Sequence, residues 1–178
     1  LERVVSANVR GVCPEYGEIR NEIAFEGRWL SHDDYAERRR VVFLGDWLKK
    51  KLFSGRPAIG ETITIQGVRF TVIGGMGKKK QVGNYFGPGD RSAFIPYTSA
   101  GEVWNTRYAS AAVLQPVGPM FEEKAEAQFR AAMAKRQGFS PTDKRALGGF
   151  GTSTMRPIID GLTIGLQVLL LFIGALTL

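Results

Sequence analysis

Two side chains could support nucleophilic catalysis, the single histidine, His32, and the single cysteine, Cys13. A cysteine thiolate activated by a nearby imidazole would form such a pair. A lone cysteine between an apolar residue and a proline is more typical of a small buried hydrophobic side chain. Cys13 also has no partner for an intrachain disulfide, so the sequence leaves its redox compartment open. We therefore expect no catalytic cysteine–histidine pair.

Metal and phosphate binding are the other chemistries that the residue types allow. His32 is followed by Asp33 and Asp34, and three such side chains could bind a metal ion. Adjacent acids after a serine are, however, more typical of a helix cap. Gly77-Lys78 is followed by Lys79 rather than by Ser or Thr, which argues against a phosphate-binding loop. The sequence thus predicts no catalytic, cofactor-binding or metal site, and we interpret the chain as not being an enzyme.

Two segments carry residues suited to structural or partner contacts. Arg28 follows a glycine and is interpreted as a buried anchor that pairs with Asp33 or with a backbone carbonyl; a substrate contact is the alternative. The stretch from Gly74 to Asp90 is rich in glycine and lysine, which predicts an exposed loop. Its two aromatic residues, Tyr85 and Phe86, could contact a partner protein or lipid head groups.

The strongest structural signal is the alternation of polar and apolar residues from Thr62 to Ile73. Gln66-Gly67 in its middle suits a two-residue turn, because glycine tolerates the positive φ that such turns need. The turn sets the register of an antiparallel hairpin in which five apolar side chains share one face. The predicted pairs are Ile65 with Val68, Ile63 with Phe70, and Glu61 with Val72.

Other strands and helices follow from hydrophobic periodicity and from the positions of glycine and proline. Strands are predicted over Arg3–Val12, Val41–Leu44, Ser92–Ile95 and Tyr108–Gln115. Helical segments are predicted over Glu15–Ala24, from an Asp46 cap to Phe53, over Ser99–Asn105 and over Pro119–Gln137. The last of these has acids in its first turn, bases in its last turn and Gly138 as a stop.

The composition is that of a folded protein, 44% hydrophobic and 23% charged over 178 residues. The exception is the run Leu162–Leu178, which contains no ionisable side chain. As a helix this run would span about 25 Å, against about 30 Å for a bilayer core. We expect the start of a transmembrane helix in a fragment truncated at both ends; a buried core helix is the alternative.

The formal net charge of +7 has three interpretations. Nucleic-acid binding would need a basic stripe or a recognisable module, and the lysines and arginines here are scattered with only short runs. A domain beside anionic lipid head groups would also favour positive charge. An ordinary solvated basic surface is the third interpretation.

The chain carries an ordered series of short motifs: Gly27-Arg28 followed by Asp33, Val41 to Gly45, Leu52-Phe53, Gly60, Gly67, Phe70, Gly74 and Ile95-Pro96. This series resembles the MacB-like periplasmic core domain of ABC transporter permeases with an FtsX-type membrane region. The resemblance covers residues 9 to 97, and the terminal apolar run is similar to that family's second transmembrane helix. Ser54 stands where a glycine is usual, and Cys13 where a small hydroxyl residue is common. The matching residues to which the resemblance gives a structural role are Gly27, Arg28, Asp33, Gly45, Leu52, Phe53, Gly60, Gly67, Phe70, Gly74 and Pro96.

The resemblance implies an α+β fold in three parts. Residues 1–105 would form a mixed or antiparallel β subdomain with short helices, similar to the Sabre subdomain of the family. Residues 106–157 would form a partial βαβ-like subdomain near the membrane, similar to the Porter subdomain, together with a linker. Residues 158–178 would begin a transmembrane helix.

The resemblance also implies a function outside the cytoplasmic (inner) membrane, with residues 1–157 on the extracytoplasmic side. The domain would couple ATP hydrolysis in the cytoplasm to export or mechanical work. Its implied partners are a cytoplasmic ABC ATPase (a separate subunit or domain), a second permease in a homo- or heterodimer, membrane lipid, and a periplasmic or outer-membrane protein; no cofactor and no nucleic acid are implied. The alternatives are a membrane-tethered assembly module without an ATPase and a soluble ligand-binding or enzyme domain.

Overall fold

The computed structural model describes residues 4–78, 87–143, 145–148 and 156–177, and side chains within the last range from 160 to 175. The chain divides into two compact units, Leu1–Val113 and Leu114–Leu178. The domain boundaries predicted from the resemblance stay predictions, because compactness alone does not test them.

The first unit is built on six strands, β1 Asn8–Val12, β2 Ala24–Gly27, β3 Val41–Leu44, β4 Thr62–Ile65, β5 Val68–Met76 and β6 Ser92–Pro96. They form one mixed sheet in the order β1-β6-β3-β5-β2, with β4 paired to β5 beside this path. Neighbours β1 and β6 are parallel, as are β3 and β5, and the other pairs are antiparallel. The mixed sheet with short helices confirms the α+β prediction for this part of the chain.

The predicted hairpin is confirmed, and its second strand is the longest of the sheet. Ile65 pairs with Val68 and Ile63 with Phe70, and the backbone N–H of Val72 donates to the carbonyl of Glu61 at 2.8 Å. The predicted start of the loop at Gly74 is wrong, because β5 continues to Met76. Gly74 and Gly75 pair with both β2 and β3, and Met76 pairs with β2. This pairing extends β5 through the two glycines.

Two buried clusters lie on opposite faces of the sheet, as the alternation of side chains along β3 shows. Val42 and Leu44 belong to the cluster that the hairpin and the helix after β3 cover. Val41 and Phe43 belong to the other cluster, which includes the aromatic residue Trp29. All four residues of β3 are buried, so this strand is the centre of the first unit.

The helices of the first unit are short: α1 Glu15–Ile19, α2 His32–Ala36, α3 Asp46–Phe53 and α4 Tyr97–Ala100. Three predicted helix limits are wrong, and one of them is the segment expected over Ser99–Asn105, because α4 covers Tyr97–Ala100 instead. The helix expected over Glu15–Ala24 ends at Ile19, and Asn21 adopts a left-handed conformation before β2 begins. Gly45, not Asp46, is the N-cap of α3, and the carboxylate of Asp46 instead pairs with Lys50 at 2.7 Å.

The strand predicted over Tyr108–Gln115 is wrong. Residues 107 to 117 form no helix and no strand. Tyr108, Val113 and Leu114 are all exposed, so no packed surface holds this apolar segment extended. Strand propensity depends on a paired, half-buried setting, and this segment has none among the described residues.

The second unit contains a 3-10 turn, Pro119–Phe121, which leads into α5 Glu122–Gln137, and then α6 Arg156–Thr177. The predicted stop is confirmed, since Gly138 ends α5 with φ of 75°. The terminal apolar run is helical as predicted, and its described side chains from 160 to 175 are exposed.

Among the described residues, no helix has both the length and the apolar character needed to cross a membrane.

Candidate functional site

The segment around Arg28 forms a polar contact in the first unit that includes a buried carboxylate. Both terminal nitrogens of Arg28 donate to the carboxylate of Asp34, with Nη2 3.0 Å from Oδ1. The Asp34 side chain is fully buried, whereas the Arg28 side chain is 47% exposed. The predicted pairing with Asp33 and the predicted burial of Arg28 are therefore both wrong. The predicted contact with a backbone carbonyl is confirmed, since Arg28 Nη1 lies 3.1 Å from the carbonyl of Trp29.

Helix capping explains why the second acid, not the first, is the partner. Ser31 is the N-cap of α2, and its hydroxyl accepts from the N–H of Asp34 at 3.2 Å. The Asp34 carboxylate accepts from the N–H of Ser31 at 2.9 Å, which completes a capping box. A capping box turns the third helical residue back toward the preceding loop, where Arg28 lies. The spacing Ser-x-x-Asp in the sequence could have identified Asp34.

The electrostatics of this contact keep Asp34 ionised. Burial alone would raise its pKa, but hydrogen bonds from the Arg28 side chain and from the N–H and hydroxyl of Ser31 lower it to about 2. Arg39 adds a second positive charge, with Nη1 3.5 Å from Oδ1. The hydrogen bond to Asp34 in turn raises the pKa of Arg28. The contact is thus a buried carboxylate held between two arginines.

Two glycines connect this contact to the centre of the sheet. Gly27 has a φ of 68° and is paired with Gly74 of β5. A Cβ on Gly27 would overlap the carbonyl oxygen of Ile73, and a Cβ on Gly74 would overlap that of Arg28. The N–H of Arg28 donates to the carbonyl of Ile73 at 3.0 Å. Close backbone approach therefore fixes Arg28 against β5, and only glycine permits it at these two positions.

The other residues that the resemblance singled out have packing or turn positions. A Cβ on Gly45 would overlap the backbone of Asp90, so the segment after β3 also makes a close backbone contact. Gly60 and Gly67 both have φ near 87°, in turns with open space around them. The remaining members lie in or beside the buried cluster under α3, or end β6: Leu52, Phe53, Phe70 and Pro96. They are not brought together into one site.

Tyr85 and Phe86, the predicted partner contacts, lie outside the described residues. On both sides of this segment, described residues contact other residues of the first unit. Gly77 lies beside Phe25, whose side chain is 80% exposed. Arg10 Nη2 donates to the carbonyl of Gly87 at 2.7 Å.

The residues considered for chemistry have separate partners. His32 Nδ1 lies 3.8 Å from Glu15 Oε1 on an exposed surface. Cys13 is exposed, so its predicted burial is wrong. Burial, and then a hydrogen bond with the Cys13 side chain, raises the pKa of Tyr35. Within the described part of the chain, no three His, Cys, Asp or Glu side chains cluster in a way that could hold a metal ion.

Sequence reasoning also missed an aromatic cluster and a half-buried ion pair. Trp29 packs edge-on to Phe43 at a centroid distance of 4.7 Å, and its Nε1 donates to the carbonyl of Pro14 at 2.8 Å. Lys49 of α3 lies 2.6 Å from Glu26 of β2. These partners are 14, 15 and 23 residues apart in sequence, so no local pattern reveals them.

The comparisons with known proteins agree with this fold. Residues 2–132 match the family model described as the MacB-like periplasmic core domain. The macrolide export ATP-binding/permease protein MacB of Chlorobaculum tepidum is 32% identical over 102 residues, which are 56% of this chain and 15% of that protein. The protein of the same name from Chlorobium phaeobacteroides is 26% identical over 173 residues, 96% of this chain and 25% of that protein.

Two solved structures share the fold. The periplasmic region of MacB from Actinobacillus actinomycetemcomitans superposes with a TM-score of 0.57 at 19% identity, over 76% of this chain and 59% of that one. The extracellular domain of the noncanonic ABC-type transporter YknZ from Gram-positive bacteria gives a TM-score of 0.65 at 15% identity, over 75% and 66%. The chain spans a quarter or less of the curated relatives just described. On the family match, which covers most of its length, this chain belongs to the MacB-like periplasmic core domain family.

Proposed function

We propose that this chain is the extracytoplasmic part of an ABC transporter permease and couples cytoplasmic ATP hydrolysis to export or mechanical work outside the membrane. The observation that carries the proposal is the family match over residues 2–132. Relatives are named ATP-binding/permease proteins, and the ATPase in this proposal is a separate subunit or domain. The core domains of this family lie on the extracytoplasmic side of the inner membrane.

The construction of the first unit supports a mechanical role. Strand β5 pairs with β2, β3 and β4, and the glycine pair Gly27 and Gly74 brings two backbones into direct contact. Close-packed interiors have low compressibility and transmit strain. A displacement applied to such a body moves it as a whole.

The apolar helix α6 supports attachment to a membrane. Between residues 160 and 175 its side chains are exposed, and Asp160 is the one ionisable residue in that range. Exposed apolar surface of this extent is more stable in contact with lipid than with water. We propose that α6 enters the membrane and that ATP-driven movement of the permease reaches the first unit through it.

The remaining partners belong to the same proposal. A second permease chain would complete a homo- or heterodimer, and a periplasmic or outer-membrane protein would bind on the extracytoplasmic side. The segment with Tyr85 and Phe86 is the proposed contact for such a partner. Because the curated relatives are named macrolide export proteins, a macrolide is the proposed exported substrate.

Insertion of glycines tests the coupling. In the permease that carries this chain, four glycines placed between Met155 and Asp160 should lower the amount of substrate exported per ATP hydrolysed, because a flexible joint absorbs displacement. Four alanines at the same place are the matched control, since they lengthen the connection and favour helix. Export of a macrolide and ATP hydrolysis are measured together in membrane vesicles.

Two results would count against the proposal. If glycine and alanine insertions give the same export per ATP, the connection does not transmit movement. If ATP hydrolysis in the vesicles does not depend on this chain at all, a tethered assembly module without an ATPase is favoured instead.

A further inference from the structure

The turns that follow α5 fold back along that helix and are held there by Arg130. This arginine lies eight residues before Gly138, about 12 Å along the helix axis. Its Nη1 donates to the carbonyl of Asp143 at 3.1 Å, and its Nη2 to the carbonyl of Leu147 at 2.9 Å. Because both carbonyls come after Gly138, the chain must reverse and run beside the last two turns of α5.

The position of Arg130 is itself fixed. Its Nη2 lies 3.2 Å from Oε1 of Glu126, one turn earlier, and its side chain is only 15% exposed. Ala134, one turn later, is the buried residue of α5. Residues four apart share one face of a helix, so Glu126, Arg130 and Ala134 lie on the same face of α5.

The turns have their own hydrogen bonds around Asp143. Its N–H donates to the carbonyl of Ser140 at 3.0 Å, and its own carbonyl accepts from the N–H of Ala146 at 3.3 Å as well as from Arg130. Its carboxylate accepts from the N–H of Arg145 at 2.9 Å. Residues 139–143 and 145–148 thus form hydrogen-bonded turns, in a stretch that the resemblance assigned in part to a linker.

Arginine suits this role better than lysine. Two carbonyl oxygens four residues apart in the chain are bound by two nitrogens of one planar guanidinium group. A lysine ammonium is a single donor centre on a flexible stem and does not present this rigid fork.

We propose that Arg130 is a positioning residue that makes α5 and the turns behind it move as one piece. This inference rests on the proposed function, in which displacement enters through α6. Turns that are not held can change their backbone angles and absorb such a displacement. With Arg130 in place, a displacement that reaches the turns at Asp143 and Leu147 is passed on to α5. We call the contacts of Arg130 with Asp143 and Leu147 the Arg130 clamp.

Hydrogen exchange in the intact permease tests the clamp itself. In Arg130→Ala, amide exchange of residues 139–148 should rise about tenfold, because two charged hydrogen bonds to the turns are lost. Arg130→Lys should give a smaller rise and guards against a variant that fails to fold. Arg136→Ala, an exposed arginine on the same helix, is the matched control and should change nothing. Unchanged exchange in Arg130→Ala would overturn the inference.

Adding a non-hydrolysable ATP analogue with Mg²⁺ tests the transmission. In the unmodified permease, the analogue should alter exchange in both α6 and α5; in Arg130→Ala the response of α6 should persist and that of α5 should disappear. If α5 still responds in full while its turns exchange fast, the clamp is merely structural and the inference fails, with the proposed function intact. If the analogue alters exchange nowhere in the unmodified chain, the proposed function fails, and this inference with it.

Discussion

The two units of the chain hold their structure by different means. In the first unit, a strand buried on both faces, β3, pairs with two neighbours, and large side chains such as Phe43 and Phe70 are fully buried. In the second unit, Ala134 is the one buried residue of α5, and α6 exposes its apolar side chains. The first unit therefore depends on its core, whereas the second depends on helix formation and on a few polar contacts such as the Arg130 clamp.

The largest difference should come from removing a phenylalanine in each unit. Phe70→Ala deletes a fully buried ring and should lower the free energy of unfolding of the first unit by about 3–5 kcal/mol. Phe121→Ala, at a ring that is 41% exposed, should cost under about 1 kcal/mol. Denaturant titration followed by hydrogen exchange measures both. Equal losses would contradict this difference between the two units.

Two glycine substitutions should separate the free-energy cost of a close backbone contact from that of an unfavourable backbone conformation. Both costs should be smaller than the loss caused by Phe70→Ala. Gly27→Ala combines a left-handed φ, roughly 1–2 kcal/mol, with overlap against Ile73, roughly 1–3 kcal/mol. Gly60→Ala should incur only the cost of the left-handed conformation, because Gly60 has a φ of 86° and the space around it is open. Unfolding midpoints of the two variants give the difference. If Gly60→Ala is as damaging as Gly27→Ala, the close approach of β2 to β5 contributes nothing.

The buried carboxylate gives the smallest of these effects and the only one that depends on pH. The pKa of Asp34 is about 2 in the folded chain and 3.8 when exposed, which corresponds to about 2 kcal/mol of stability. Since the folded value is the lower one, this stability is present above pH 4 and is lost as pH falls toward 2. Asp34→Asn should remove that dependence. Asp33→Asn, at the neighbouring exposed acid, should retain it in urea titrations from pH 6 to pH 2.

Two features that depend on residues close together in the sequence were predicted correctly. The hairpin register follows from Gln66-Gly67 and the alternation around it, and all the information lies within twelve residues. The helix stop at Gly138 is equally local. The extent of β5 beyond Gly74 was missed, because β2 and β3 supply its partners from elsewhere in the chain.

The candidate site was predicted in part. Arg28 was identified as an anchor, but its acid was placed one residue too early, although the capping-box spacing pointed to Asp34. The Arg130 clamp was missed entirely, since nothing in a polar, glycine-rich sequence shows which carbonyls an arginine will reach. The strand predicted over Tyr108–Gln115 is wrong, because the described residues offer no neighbouring strand with which this segment could pair.

The account depends on the first unit lying outside the cytoplasmic membrane, and Cys13 offers a direct test because it is the single cysteine of the chain and is exposed. Cells with a permeabilised outer envelope and an intact cytoplasmic membrane are treated with a membrane-impermeant maleimide. The account predicts labelling of this chain that is lost in Cys13→Ser. Labelling that requires lysis of the cytoplasmic membrane would contradict it.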